Sequence, residues 1–134
     1  MKPDYDKVAL LVIQNDRILL CRKKYTTALL ILPGGCRENG ETALECLNRE
    51  LTEELGEVTA SNLTYIATYS SPAAGQEDKT VRIELYHGTL IGTPTPNSEI
   101  QELIWFPRDG DPSQLAPSLR NLILPDLKSR SLFG

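Results

Sequence analysis

The sequence predicts an α/β fold, a mixed sheet with helices on its faces, in one domain over residues 1–134. Three observations predict it. Short apolar, partly branched runs near the N-terminus read as strands. The segment 42–56 carries the signals for both ends of an amphipathic helix. Branched runs then return and lead into a second helical pattern near the C-terminus. A chain of 134 residues that is 40% hydrophobic suits one core and is short for two.

Residues 8–13 and 17–22 flank Gln14, Asn15 and Asp16, and Asn and Asp tolerate left-handed turn geometry, so a hairpin is expected. A strand at 29–32 runs into Pro33, Gly34 and Gly35, read as a loop without regular structure where the backbone can come close to another group. Thr42 with Glu45 three residues on forms a capping box, and Gly56 suits the left-handed position that ends a helix. Leu44, Leu47, Leu51 and Leu55 supply the buried stripe between them. Further strands are expected at 63–69, 81–91 and 102–106, with a polar loop at 71–79. From about 113 or 117 to 127, Leu119, Leu122 and Ile123 recur at helical spacing, and Pro125 ends or bends that helix.

The longest purely apolar run, 8–13, has six residues, far short of the roughly 20 that a membrane helix needs. The start lacks the basic stretch and apolar core of a secretory signal, so a cytoplasmic protein is expected, with no membrane partner. Cys21, Cys36 and Cys46 are an odd set, and the single His87 stands at no familiar ligand spacing from them. Neither a disulfide framework nor a zinc site is expected; the thiols read as buried or half-buried and His87 as structural.

Charge is unevenly placed. Residues 37–57 hold seven acids and two bases, a net −5 within an overall −4, so the remainder carries +1. No broad basic field exists to hold a nucleic acid polymer. Glu50, Glu53 and Glu54 fall within about 100° of helix arc, beside the leucine stripe. Like charges three and four residues apart repel, and the last turns of a helix disfavour negative charge. Arg49, four residues before Glu53, is the internal partner. A solvated acidic face is the plain reading of such a run, but two local rules broken together suit a hard divalent cation, Mg²⁺ or Mn²⁺, held by carboxylates.

Gly35, five residues, Glu41, seven residues, then Arg49, Glu50, Leu51, Thr52, Glu53, Glu54, Leu55 and Gly56 resemble the signature of the Nudix hydrolases, of the MutT-like kind. The last position departs from it: Glu57 stands where the family has an apolar residue, with Val58 next. The resemblance extends through Leu32, Pro33, Gly34 and Gly35, the strand with Trp105 and Phe106, and the C-terminal helix. It implies the family's α/β/α sandwich, with a central mixed sheet and a loop-helix-loop motif. It further implies that Glu50, Glu53, Glu54 and the Gly34 carbonyl bind metal, Mg²⁺ or Mn²⁺, with more than one ion once substrate is present. Arg49 would orient the glutamates, Glu41 would support the loop by pairing with Arg49, and Gly35 and Gly56 would support the motif.

The implied reaction is cleavage of a nucleoside diphosphate linked to another moiety, by attack of water on phosphorus. Two residues compete for the general base, Glu53 in the motif and Glu99 before the Trp105 strand; Gly92, Thr93, Pro94, Ser98 and Ile100 around it resemble the matching stretch of nucleotide-sanitising members. Arg22, Lys23 and Lys24 are candidates for phosphate contact and Tyr25 for stacking on a base, while Trp105 reads as sheet packing before it reads as a pocket wall. No purine-reading acid or amide is evident near Pro117 and Ser118, and Asn121 substitutes poorly, which counts against an oxidised-guanine preference. A nucleoside triphosphate or similar small nucleotide is the favoured substrate. ADP-ribose is the rival, on Pro72 downstream of the motif and a loop base from Glu77 or Asp78; the upstream signature of coenzyme A hydrolases is absent. A sensor that kept the fold and lost turnover is the alternative outside enzymes. The resemblance also admits a homodimer.

Overall fold

The computed structural model describes residues 3–24, 29–73 and 76–134. Seven strands form two sheets. β1 (Tyr5–Leu11) lies between β4 (Gly34–Cys36), antiparallel to it, and β6 (Gln76–Ile91), parallel to it; β5 (Thr59–Ala73) closes the far side against β6. The second sheet holds β2 (Ile13–Gln14), β3 (Arg17–Lys23) and β7 (Ile100–Pro107), paired antiparallel. The expected mixed sheet is therefore divided between two ladders.

Strand alternation sorts the core. Val8, Leu10 and Val12, with Leu19 and Cys21, turn to one face and pack on α1 (Ala43–Leu55) through Cys46, Leu47, Leu51 and Leu55. Ala9, Leu11, Ile18 and Leu20 turn to the other and meet Leu119, Ile123, Leu127 and Phe133 of the C-terminal segment. The result is the expected helix, sheet, helix layering. Tyr69 of β5 fixes the second layer, its hydroxyl donating to Asp126 at 2.6 Å.

The hairpin is smaller than expected. Asn15 and Asp16 take left-handed φ values of 52° and 61°, but pairing covers only Ile13 with Ile18 and Gln14 with Arg17. The chain changes sheets at Val12, so residues 8–11 pair with β4 and β6 instead, at the register Val8 to Gly35 and Val8 to Glu84. Residues 29–32 form no strand; Ile31 bridges Cys21 and Leu30 bridges Leu115. The glycines expected in a loop instead form β4. Gly34 has φ +137°, and a Cβ there would stand 2.1 Å from the Val8 carbonyl oxygen, so this strand exists because the residue is glycine. The stretch 71–79, expected as a loop, is largely taken up by the extended ends of β5 and β6.

α1 has the capping box: Glu45 N–H donates to the Thr42 hydroxyl at 3.1 Å, and Thr42 N–H to Glu45 Oε1 at 2.9 Å. Gly56 ends it at φ 84°. Leu44 is not part of the buried stripe, being 46% exposed, and Cys46 takes its place. Glu57 is exposed while Val58 is 2% exposed, so the apolar role of the motif's last position passes one residue on. Near the C-terminus, Leu119–Ile123 is a π-helix that runs into α2 (Leu124–Ser129). Pro125 sits in the first turn of α2, where its missing N–H is tolerated; the helix changes pitch there and does not end. Cys21 and Cys46 are buried and Cys36 is exposed, with none of the three in a disulfide, and His87 lies within β6.

Candidate active site

Glu41 and Arg49 build the frame. Arg49 Nε and Nη2 grip both oxygens of Glu41, at 2.7 and 2.9 Å, and Glu41 Oε1 also accepts the Glu38 N–H at 2.7 Å. This two-pronged pairing holds the Glu41 carboxyl down at about 2 and the guanidinium above its ordinary range. The remaining donors of Arg49 reach the Cys36 carbonyl at 2.9 Å and Glu50 Oε1 at 2.8 Å. Arg49 thus ties α1 to the loop before it, to β4 and to one of the three clustered glutamates. Its ion pairs run to Glu38, Glu41 and Glu50 rather than to Glu53, the partner that helical spacing suggested.

Each carboxylate of the trio has its own environment. Glu50, with its side chain 17% exposed, lies directly over Gly35, where a Cβ would come within 2.4 Å of its carboxyl carbon. Glu53 is exposed. Glu54 is buried, at 8% exposure, and its Oε1 accepts the Gly34 amide at 3.1 Å. Burial pushes the Glu54 carboxyl up to about 7. Glu50 and Glu53 push the same way, while the Gly34 amide and the Lys23 charge oppose them. Gly34 thus meets the trio through its amide.

The loop after β6 completes the site. Thr95 and Asn97 donate their amides to the carbonyls of Leu55 and Glu54, both at 3.0 Å, and so satisfy the open end of α1. Glu99 follows, exposed, with its carbonyl accepting the Lys24 amide at 2.8 Å. Glu50, Glu53, Glu54, Glu99, Lys23, Gly34 and Gly35 all line one cavity of about 390 Å³. Beyond the acids its wall is mainly apolar, with Ala9, Leu32, Ile83, Leu119 and Ile123.

Not every candidate comes to this cavity. Arg22 is paired with Glu102 at 2.9 Å across the β3–β7 ladder and does not line it. Lys24 is exposed, and only its backbone binds the Glu99 loop. Tyr25 lies outside the described residues. Trp105 packs half-buried on the α1 side of the sheet, as its structural reading has it. Pro72 pairs with Thr80 near the end of the β5–β6 hairpin, away from the cavity lining, and Asp78 is likewise absent from that lining; the Glu77 side chain lies outside the described residues. Asn121 is exposed. Sequence reasoning missed Lys7, which lines the cavity, and quoted Ser98, which also lines it, only as part of the stretch around Glu99. Lys7 carried a signal, as a cation one residue before the apolar run of β1.

The carboxylates suit a divalent cation. Glu54 is buried with one backbone donor and faces two further carboxylates, an arrangement that a cation would relieve. Among the described residues, no group of three or more His, Cys, Asp or Glu is already gathered closely enough to enclose an ion. The Glu50 carboxylate, for one, is drawn to Arg49.

A family model for the NUDIX domain matches residues 4–123, and the chain belongs to that family. One relative, the CMP-5'-(N-acetyl-N-hydroxy-3-aminopropyl)phosphonate hydrolase of Streptomyces rubellomurinus, is 34% identical over 107 residues, covering 75% of this chain and 51% of that protein. The NAD-capped RNA hydrolase NudC of Pseudomonas putida is 31% identical over 97 residues, covering 72% of this chain and 34% of that protein. The matches thus span about half of the first relative and a third of the second. The solution structure of the E. coli ORF135 protein superposes with a TM-score of 0.76 at 26% identity, covering 95% of this chain and 91% of that one.

Proposed function

We propose that the chain is a Mg²⁺-dependent pyrophosphohydrolase of the cytoplasm that cleaves a nucleoside diphosphate linked to another moiety. A nucleoside triphosphate or similar small nucleotide is the favoured substrate, and Mn²⁺ is the alternative ion. One observation carries the reading: four carboxylates from α1 and the β6–β7 loop line a single cavity with Lys23 and two glycines.

Glu50 and Glu54, on rigid helix and braced by Arg49 and the Gly34 amide, would hold the cation, together with Glu53 and the Gly34 carbonyl. When bound, a divalent cation there neutralises phosphate oxygens and lowers the pKa of water. Glu53 and Glu99 are both exposed to the cavity, so either can take the proton from an attacking water. Lys23 offers its ammonium to a phosphate oxygen. Arg49 acts as a positioning residue, through Glu41 and Glu50.

The test is incubation of the pure protein with nucleoside triphosphates, ADP-ribose and sugar nucleotides in Mg²⁺, with products identified by mass. The expected result is a mononucleotide, absent in EDTA; a large loss in Glu99→Gln assigns the base to Glu99, and a large loss in Glu53→Gln that leaves Mn²⁺ affinity intact assigns it to Glu53. Tight nucleotide binding without any product across the panel would instead establish a sensor.

A further inference from the structure

Two lysines line the cavity, and of the two Lys23 is the one whose charge acts on Glu54. Lys7 is on the opposite face of the sheet from α1. In β1, Val8 and Leu10 turn to α1, whereas Lys7 shares the alternate face with Ala9 and Leu11 and is in register with Cys36 of β4 and Ile83 of β6. Ala9 on the same face of β1 and Ile83 beside it on β6 are apolar, as are Leu119 and Ile123 elsewhere in the cavity wall. The Lys7 side chain is half-buried and has no hydrogen bond or ion pair among the described residues. An ammonium without a protein partner gains from any oxygen that a ligand brings.

The remaining polar lining sharpens the point. Apart from the acids, Lys23 and Ser98, the described polar side chains on the cavity are Lys7, Ser118 and the weakly polar Cys36; no Asn, Gln or aromatic side chain is among them. Lysine donates only, so it pairs with the exocyclic carbonyl oxygen of guanine or uracil, whereas the exocyclic amine of adenine is a donor that it cannot satisfy, leaving only ring nitrogens to accept.

We infer that Lys7 is a specificity-determining residue, donating to a carbonyl oxygen on the base and so favouring guanine and uracil nucleotides over adenine nucleotides. This rests on the reading of the cavity as a nucleotide site and extends it to the class of base.

The test is calorimetric titration of the protein in Mg²⁺ with GMP, UMP and AMP. GMP and UMP should bind about tenfold more tightly than AMP. Lys7→Met should bring them to the AMP level and leave AMP within about twofold, whereas Lys7→Arg, which keeps a donor, should preserve the preference. Three results would overturn the inference: equal affinity for all three, equal weakening of all three in Lys7→Met, or no binding of any. Turnover separates the two readings. Mononucleotide release with no base preference overturns the Lys7 assignment alone, and a Lys7-dependent preference without turnover overturns the hydrolase reading alone.

Discussion

Glu54→Gln is the most informative substitution in the ion-free protein. Native Glu54 titrates near 7 against an ordinary 4.5, because burial disfavours its charge. Glu50 and Glu53 face it from the same helix, Lys23 from β3 and the Gly34 amide from β4. Between pH 4.5 and 7 the folded protein binds the proton that the unfolded chain has released. Stability therefore falls as pH rises through that window and levels off above it. At about 1.4 kcal/mol for each pH unit between the two values, the charged carboxylate costs about 3 kcal/mol at pH 8.

The amide introduced by Glu54→Gln would still accept the Gly34 N–H and would carry no charge. In EDTA at pH 8, Glu54→Gln should be stabilised by about that amount, a rise in Tm on the order of 10 °C, and at pH 4 the two proteins should melt together. Millimolar Mg²⁺ should raise the wild-type Tm and leave the variant's nearly unchanged. Destabilisation of Glu54→Gln at pH 8, or a difference that ignores pH, would refute the reasoning.

Other outcomes follow from the same contacts. Gly35→Ala should leave the melting temperature nearly intact while displacing the Glu50 carboxyl, lowering Mn²⁺ affinity about 10- to 100-fold by titration calorimetry. Glu41 is held down to about 2 by Arg49, so the stability it contributes is full above pH 4.5 and is lost as pH falls from there towards 2; urea midpoints of the wild type should decline more steeply across that range than those of Glu41→Gln. Arg49→Lys should lower kcat far more than KM, since a lysine cannot span Glu41, Glu50 and the Cys36 carbonyl at once. Leu51→Ala, at a fully buried position, should cost about 2–5 kcal/mol in chemical denaturation.

The helix was the most legible part of the chain, since Thr42, Glu45 and Gly56 act through local backbone chemistry that needs no tertiary partner. The acidic cluster was legible for the opposite reason: Glu50, Glu53 and Glu54 break local rules, and only a tertiary purpose accounts for them. What escaped was non-local. Gly34 and Gly35 looked like strand breakers, yet Gly34 forms β4 because its bare Cα fits against the Val8 carbonyl, a contact that depends on a strand far earlier in the chain. The ends of β5 and β6 are polar, and their pairing with each other, invisible in residue type, extends both. Arg22 looked like a phosphate ligand until the β3–β7 register brought Glu102 beside it. Lys7 drew no role from the sequence, because only the tertiary fold brings β1, β4 and the C-terminal segment to line one cavity.

Anomalous diffraction from crystals soaked in Mn²⁺ with a non-hydrolysable nucleotide tests the central claim most directly. The account predicts a manganese peak between α1 and β4, contacted by Glu50 and Glu54 and by the nucleotide's phosphates. A nucleotide bound elsewhere, or bound in this cavity with manganese absent from the glutamates, would contradict it.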